Sequence, residues 1–227
     1  MIPKKERRST KTRRILIVDD HPIMRQGLAQ LINNEPDLKV CCEAETAAQA
    51  LETIHTSMPD LVLADISLPG QNGLELIKDI QAMHPEIPVL VLSMHDESLY
   101  AERVLRAGGR GYIMKQEGGQ KLMLAIRQVL SGQIYVSEKI SAKILEIFSG
   151  RRSEAATSPV ERLTDREFEV FQLIGQGKGT RETADQLHVS VKTIEVHRAN
   201  IKEKLKLKTA PELIRFAVRW VESQTAP

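Results

Sequence analysis

Between residues 14 and 131, short and wholly apolar runs alternate with stretches whose apolar positions recur at helical spacing. Residues 14–18, 38–44, 61–65, 89–93 and 111–114 read as strands. Residues 22–33, 47–55, 74–83, 98–107 and 120–130 read as helices. The runs 15–18, 61–63 and 89–92 carry no polar residue, as strands covered on both faces should not. Strand–helix alternation of this kind predicts an α/β fold, a parallel sheet wrapped by helices. After residue 131 the strand signal stops. Ile140, Ile144, Ile147 and Phe148 recur at helical spacing and predict a short helix, followed by the small, polar, proline-ended run SGRRSEAATSP at 149–159. From Val160 onward everything reads as helix. Capping boxes are expected at Thr164 with Glu167 and at Thr209 with Glu212, with further helix starts at Thr180 and Ser190. The expected organisation is a basic tail (1–13), an α/β domain (14–131), a linker with a short helix (132–159) and an all-α domain (160–222).

Composition changes this picture little, and charge distribution more. Of 227 residues, 41% are hydrophobic and 27% charged, enough apolar residues for a core in each domain. Net charge is only +2, yet Lys4, Lys5, Arg7, Arg8, Lys11, Arg13 and Arg14 crowd the first segment. A second basic group, Lys192, Arg198, Lys202, Lys204, Lys206 and Lys208, lies near the end. The tail is expected to be a solvated arm. No apolar leader and no bilayer-length apolar run is present, so a cytoplasmic protein with no membrane partner is expected. Cys41 and Cys42 are adjacent, a spacing that fits neither a zinc site nor a disulfide framework, and two buried, reduced cysteines are expected.

Three carboxylates fall at strand ends: Asp19 and Asp20 after the first strand, Asp65 at the end of the third. A flavodoxin-like, doubly wound five-stranded sheet sets these strands side by side, and ligands bind beyond such strand ends. Three converging anions repel unless a cation joins them, and oxygen ligands suit Mg²⁺. Lys115 after the fifth strand adds a positive charge, and Ser93 at the end of the fourth adds a hydroxyl. The chemistry expected of that set is phosphoryl acceptance by Asp65, with the metal and Lys115 neutralising the transferred oxygens. The alternative is that these aspartates merely cap the helices that follow.

The stretches ILIVDDHPIMRQGL, PDLVLADISLPGQNGLEL, VLVLSMHD and GYIMK resemble the response-regulator receiver domain across residues 14–131. The resemblance implies that Asp19, Asp20, Asp65 and the backbone carbonyl of Ser67 ligate Mg²⁺, and that Asp65 is the phosphoacceptor. It further implies that Ser93 is the switch hydroxyl, Tyr112 the switch aromatic and Lys115 the invariant lysine. Ser67 and His95 fall where members vary and phosphoryl lifetime is tuned. The family usually follows the lysine with proline, often in a cis peptide; Gln116 stands here, and a trans bond is expected.

In the last domain, residues 181–187 and 191–205 read as the two helices of a helix-turn-helix, with His188, Val189 and Ser190 as the turn. At about 100° per residue, Ile194, Ile201 and Leu205 form an inner stripe. Lys192, Val196, Ala199 and Glu203 fall opposite, with Glu195 and Asn200 on the flanks. An apolar Val196 on the outer face of a basic helix suits a thymine methyl in the major groove. Lys192, Thr193, Arg198, Lys202 and Lys204 are expected at phosphates, which position without specifying. The alternative is a basic helix whose charges are simply solvated. The segment LTDREFEVFQLIGQGKGTRETADQLHVSVKTIEVHRANIKEKL resembles the LuxR-type output domain of the NarL family over residues 160–222. That resemblance implies Thr193, Glu195, Val196, His197 and Arg198 at or near DNA, whereas the wheel places His197 closer to the core. Thr183 replaces the family's usual isoleucine. The last helix carries a stripe of Leu213, Phe216, Ala217 and Trp220, most of which is expected to pack on the domain's own core.

Together the two resemblances imply a two-component response regulator with a histidine kinase as phosphoryl donor, duplex DNA as target and a homodimer when phosphorylated. It would catalyse only its own phosphoryl uptake and slow loss. Two rivals remain at this point: a Mg²⁺-dependent aspartyl-phosphate phosphatase, and a receiver joined to a protein-interaction module.

Overall fold

The computed structural model describes residues 12–148 and 159–225. Residues 1–11 of the expected basic tail and residues 149–158 of the expected linker lie outside the described residues. Contacts divide the chain into one unit ending at Ile140 and a second beginning at Ser141.

The first unit alternates strictly: β1 (Arg13–Val18), α1 (Pro22–Asn33), β2 (Leu38–Ala44), α2 (Ala47–Ser57), β3 (Leu61–Ala64), α3 (Gly73–Met83), β4 (Val89–Ser93), α4 (Glu97–Arg106), β5 (Gly111–Met114) and α5 (Gly119–Leu130). All strand pairs are parallel, in the order β2-β1-β3-β4-β5. The apolar runs occupy the three interior strands, and every residue of β3 and β4 is buried. Ile15, Ile17, Leu61, Leu63, Leu90 and Ile113 pack with Leu28 and Ile32 of α1 and with Leu122, Ile126 and Val129 of α5. Because strand side chains alternate, Leu16, Val62 and Val91 turn to the opposite face. Full burial of each such side chain contributes about 1.5–3 kcal/mol. Local chemistry sets where helices begin. The side chains of Thr46, Asn72 and Asp96 accept the N–H groups of Gln49, Glu75 and Ser98.

Strand β2 departs from expectation. It lies at the sheet edge, and both Cys41 and Cys42 are half-buried rather than buried. Ile15 pairs with Val40 but Leu16 pairs with Cys42, so the register slips by one residue at Cys41. That is a bulge, which breaks the strict inward–outward alternation.

Helix α6 (Glu138–Phe148) occupies the helix expected after the sheet, and the division between units falls inside it. Ile140 is buried; the side chains of Ile144, Ile147 and Phe148 lie outside the described residues. Beyond α6, the described residues of the second unit form a 3-10 turn at Pro159–Arg162 and then α7 (Asp165–Gly175), α8 (Thr180–Gln186), α9 (Val191–Lys204) and α10 (Ala210–Thr225). The box at Thr164 and Glu167 forms reciprocally, at 3.4 and 2.9 Å. At Thr209 only one half forms, because the Glu212 carboxylate accepts the N–H of Lys208 instead. Helix α8 starts at Thr180 as expected and runs to Gln186, one residue ahead of the expected 181–187 span at each end; Gly179 is the cap, its N–H held by Glu182. Thr183 does not leave a polar gap, since it is fully buried and its hydroxyl donates to the Gly179 carbonyl at 2.8 Å.

The α10 stripe packs within its own unit, as expected. Leu213 and Ala217 are buried, Trp220 meets Phe168 and Phe171 edge-on at 5.6 and 5.5 Å, and Phe216 lies 5.9 Å from Phe171. Glu167 accepts from Lys204 Nζ at 2.6 Å. Burial alone would raise the Glu167 carboxyl, but hydrogen bonds from Lys204 and Thr164 outweigh it and hold the group below 4.5. A depressed folded-state value contributes stability that is present above the unfolded value and lost as pH falls through the folded one. The parent is therefore expected to lose melting temperature on acidification below 4.5. Glu167→Gln should start lower and flatten that slope, as thermal unfolding from about pH 7 to about pH 3 would record.

Candidate functional site

The parallel order makes β1 and β3 neighbours, so the residues that follow them emerge side by side. The Asp65 N–H donates to the Val18 carbonyl at 2.8 Å, and the Asp19 N–H to Ala44 at 3.2 Å. Lys115, following β5, donates its N–H to the Ser93 carbonyl. Its ammonium then reaches across the sheet edge, 2.6 Å from Asp19 Oδ2 and 2.7 Å from Asp65 Oδ2. Both carboxylates and the lysine side chain are at most 5% exposed. Asp19, Asp65 and Lys115 therefore meet at one place, and Asp20 joins them. Oxygens of Asp19, Asp20 and Asp65 and a ring nitrogen of His21 lie within 4.8 Å of one another.

Three carboxylates against one ammonium leave excess negative charge in a shielded site. Burial raises the Asp65 carboxyl above its ordinary value; Lys115 opposes this and Asp19 reinforces it. Burial also works against the Lys115 ammonium, but Asp65 and Asp19 outweigh it and raise the group. Asp20 Oδ1 is buried, 2.7 Å from His21 Nδ1 but without the alignment of a hydrogen bond. A poorly satisfied oxygen beside two further carboxylates is the donor set of a hard cation. The residues fit one.

Ser93 is fully buried at the end of β4, and its hydroxyl accepts the His95 N–H at 3.3 Å. The Ser67 N–H donates to Asp65 Oδ1 at 3.3 Å, and Ser67 Oγ lies 3.0 Å from His95 Nε2. Burial, and secondarily Lys115, pushes the His95 imidazole below its ordinary value. Tyr112 already stands inward: it is fully buried and its hydroxyl donates to the His95 carbonyl at 2.8 Å. Among the described residues no peptide bond is cis, so the one before Gln116 is trans, as expected.

In the second unit, α8 and α9 flank a tight turn in which His188 adopts a left-handed φ of 52°. The Val189 N–H closes it on the Ala184 carbonyl, and Ser190 Oγ accepts the Thr193 N–H at 3.1 Å to start α9. Ile194 and Ile201 are fully buried, while Lys192, Glu195, Val196, Ala199 and Glu203 are exposed, Val196 by 52%. The face the wheel assigned outward is outward. Thr193, His197, Arg198, Asn200 and Lys202 are half-buried along its margins.

Known proteins divide along the same lines. The description "Response regulator receiver domain" matches residues 15–127, and "Bacterial regulatory proteins, luxR family" matches residues 161–217. Over 210 residues the chain is 37% identical to oxygen regulatory protein NreC of Staphylococcus aureus (strain JH9), covering 91% of this chain and 97% of that one. The chain belongs to the response regulators.

This response regulator, with its LuxR-type output domain, is also similar to solved members. A two-component response regulator of the LuxR family from Aurantimonas sp. SI85-9A1 is 34% identical, with a TM-score of 0.57 over 61% of this chain and 99% of that one. RcsB of Salmonella enterica serovar Typhimurium, solved bound to promoter rprA with the phosphomimetic BeF3-, is 25% identical, with a TM-score of 0.61 over 92% and 99%. The family regulates transcription and is not a class of metabolic enzyme. Among the described residues no helix is long and apolar enough to cross a membrane.

Two expectations about the response regulator's output domain change. Lys204, expected at a phosphate, is tied to Glu167, and Leu205 is a half-buried helix cap rather than a core residue. One residue of the acidic site had been missed. Arg25 of α1 is 8% exposed and donates to the Asp19 carbonyl at 2.6 Å while pairing with Glu45 and Glu43 of the β2 edge. Its carboxylate partners sit about twenty positions away along the chain, so no local spacing announced those ion pairs.

Proposed function

We propose that the response regulator takes a phosphoryl group from a histidine kinase, or from a small acyl phosphate, onto Asp65. The observation that supports this is the Lys115 ammonium shared between the Asp19 and Asp65 carboxylates at one sheet edge. Asp19, Asp20, Asp65 and the Ser67 carbonyl would hold Mg²⁺, which neutralises charge on the transferred oxygens when bound. Asp65 Oδ attacks phosphorus in line with the leaving oxygen, and Lys115 steadies the oxygens of the transferring group. Ser93 hydrogen-bonds the product, and Tyr112 packs inward behind it. Residues 14–131 are the receiver and 160–222 the output domain. Phosphorylation favours a homodimer that sets two copies of α9 on duplex DNA in the cytoplasm. Lys192, Thr193, Arg198, Asn200 and Lys202 then meet phosphates or their margins, and Glu195, Val196, His197 and Ala199 face the groove.

The test is incubation of the chain with labelled acetyl phosphate and Mg²⁺. One phosphoryl group per chain, released by hydroxylamine as an acyl phosphate is and absent when the metal is chelated, is the expected result. Label resistant to hydroxylamine would place the phosphoryl group on another residue type.

A further inference from the structure

We infer that Cys41 and Cys42 form a chelating dithiol site for a trivalent metalloid of the arsenous class, As(OH)3 or R–As(OH)2. In a regular strand neighbouring side chains point to opposite faces. The bulge removes that alternation: two residues of β2 face one of β1, and the sulfurs stand 2.8 Å apart. Both cysteines are free and half-buried on an edge strand, reachable from the side. Ser57 Oγ lies 3.3 Å from Cys42 Sγ, and the Cys41 thiol points to the Ile15 carbonyl at 3.5 Å.

Sulfur donors select soft, thiophilic centres. Two sulfurs this close on one side give an acute bite, which suits a trigonal-pyramidal centre. A linear cuprous ion needs its sulfurs on opposite sides, and structural zinc needs four ligands. A direct disulfide is disfavoured by backbone geometry. Adjacent Cα atoms are about 3.8 Å apart, short of the roughly 4.4–6.8 Å that unstrained disulfides span. An inserted arsenic lengthens the bridge and removes that conflict. The exchange balances without redox change: R–As(OH)2 + 2 R′SH → R–As(SR′)2 + 2 H2O. Two As–O bonds break, two As–S bonds form, and each thiol proton leaves in water. Burial, and then the hydrogen bond to Cys42, pushes the Cys41 thiol up to about 12. That suppresses attack by a lone thiolate but not an exchange in which hydroxide carries the proton away.

The chain has only two cysteines, so any adduct reports on this pair. Phenylarsine oxide titrated against the native full-length chain should give one arsenical per chain by intact mass, with both thiols lost to a monofunctional alkylating probe. Cys41→Ser and Cys42→Ser should each weaken binding on the order of a hundredfold, because one sulfur forfeits the chelate. The unmodified chain in urea should bind about tenfold or more weakly than the native chain, since the bulge prearranges the sulfurs. Single variants that bind as the parent does, or equal binding by native and unfolded chain, would overturn the site.

Discussion

Asp65→Asn is expected to lower phosphoryl uptake from acetyl phosphate by about a thousandfold or more, as removal of a nucleophile does. The substitution is nearly isosteric at a position 5% exposed, so packing is preserved. Lys115 keeps its bond to Asp19, and one of the converging negative charges is gone. The variant should therefore melt at or above the parent's temperature while failing to take up label. It should also keep the parent's basal affinity for duplex DNA but lose any gain on acyl-phosphate treatment. Wild-type uptake by the variant would remove Asp65 from its assigned role. The comparison separates chemistry from folding because both are read on the same full-length chain.

Val196→Asp is expected to weaken duplex binding on the order of a hundredfold. With α9 docked as proposed, it would replace an apolar contact in the groove with a charge that repels phosphates, and like charges juxtaposed at an interface cost several kcal/mol. Val196 is 52% exposed, so the folded unit has little to lose. Exposed substitutions stay within about 0.5 kcal/mol. Lys202→Ala makes the useful contrast: affinity should fall alike on all sequences, and the slope of log affinity against log salt should drop by about 1. A Val196→Asp chain that binds its duplex as tightly as the parent would mean that another face of α9 enters the groove.

Much of the acidic site could be read from the chain itself because its signals are positional. Asp19, Asp20, Asp65, Ser93 and Lys115 each follow an apolar run, and a parallel sheet gathers everything that follows its strands at one edge. The structure adds the distances: 2.6 and 2.7 Å from one ammonium to two carboxylates. The outward face of α9 was equally accessible, because helical periodicity alone separates Ile194 and Ile201 from Val196 and Ala199. Arg25 was not, since its role exists only where α1 passes the end of β2 and meets Glu43 and Glu45. Lys204 reads as one more cation of a basic helix until α7 brings Glu167 to it.

The order of elements, the starts of most helices and the residues at strand ends were all determined by the sequence alone. Each depends on a short period or a local hydrogen bond within three or four residues. Tertiary structure alone decided that Cys41 and Cys42 share one side of an edge strand and that Tyr112 lies inward on the His95 carbonyl. These outcomes turn on register and on close packing around each group. A one-residue slip between β1 and β2 leaves no trace in the pattern of either strand, yet it decides which side chains meet.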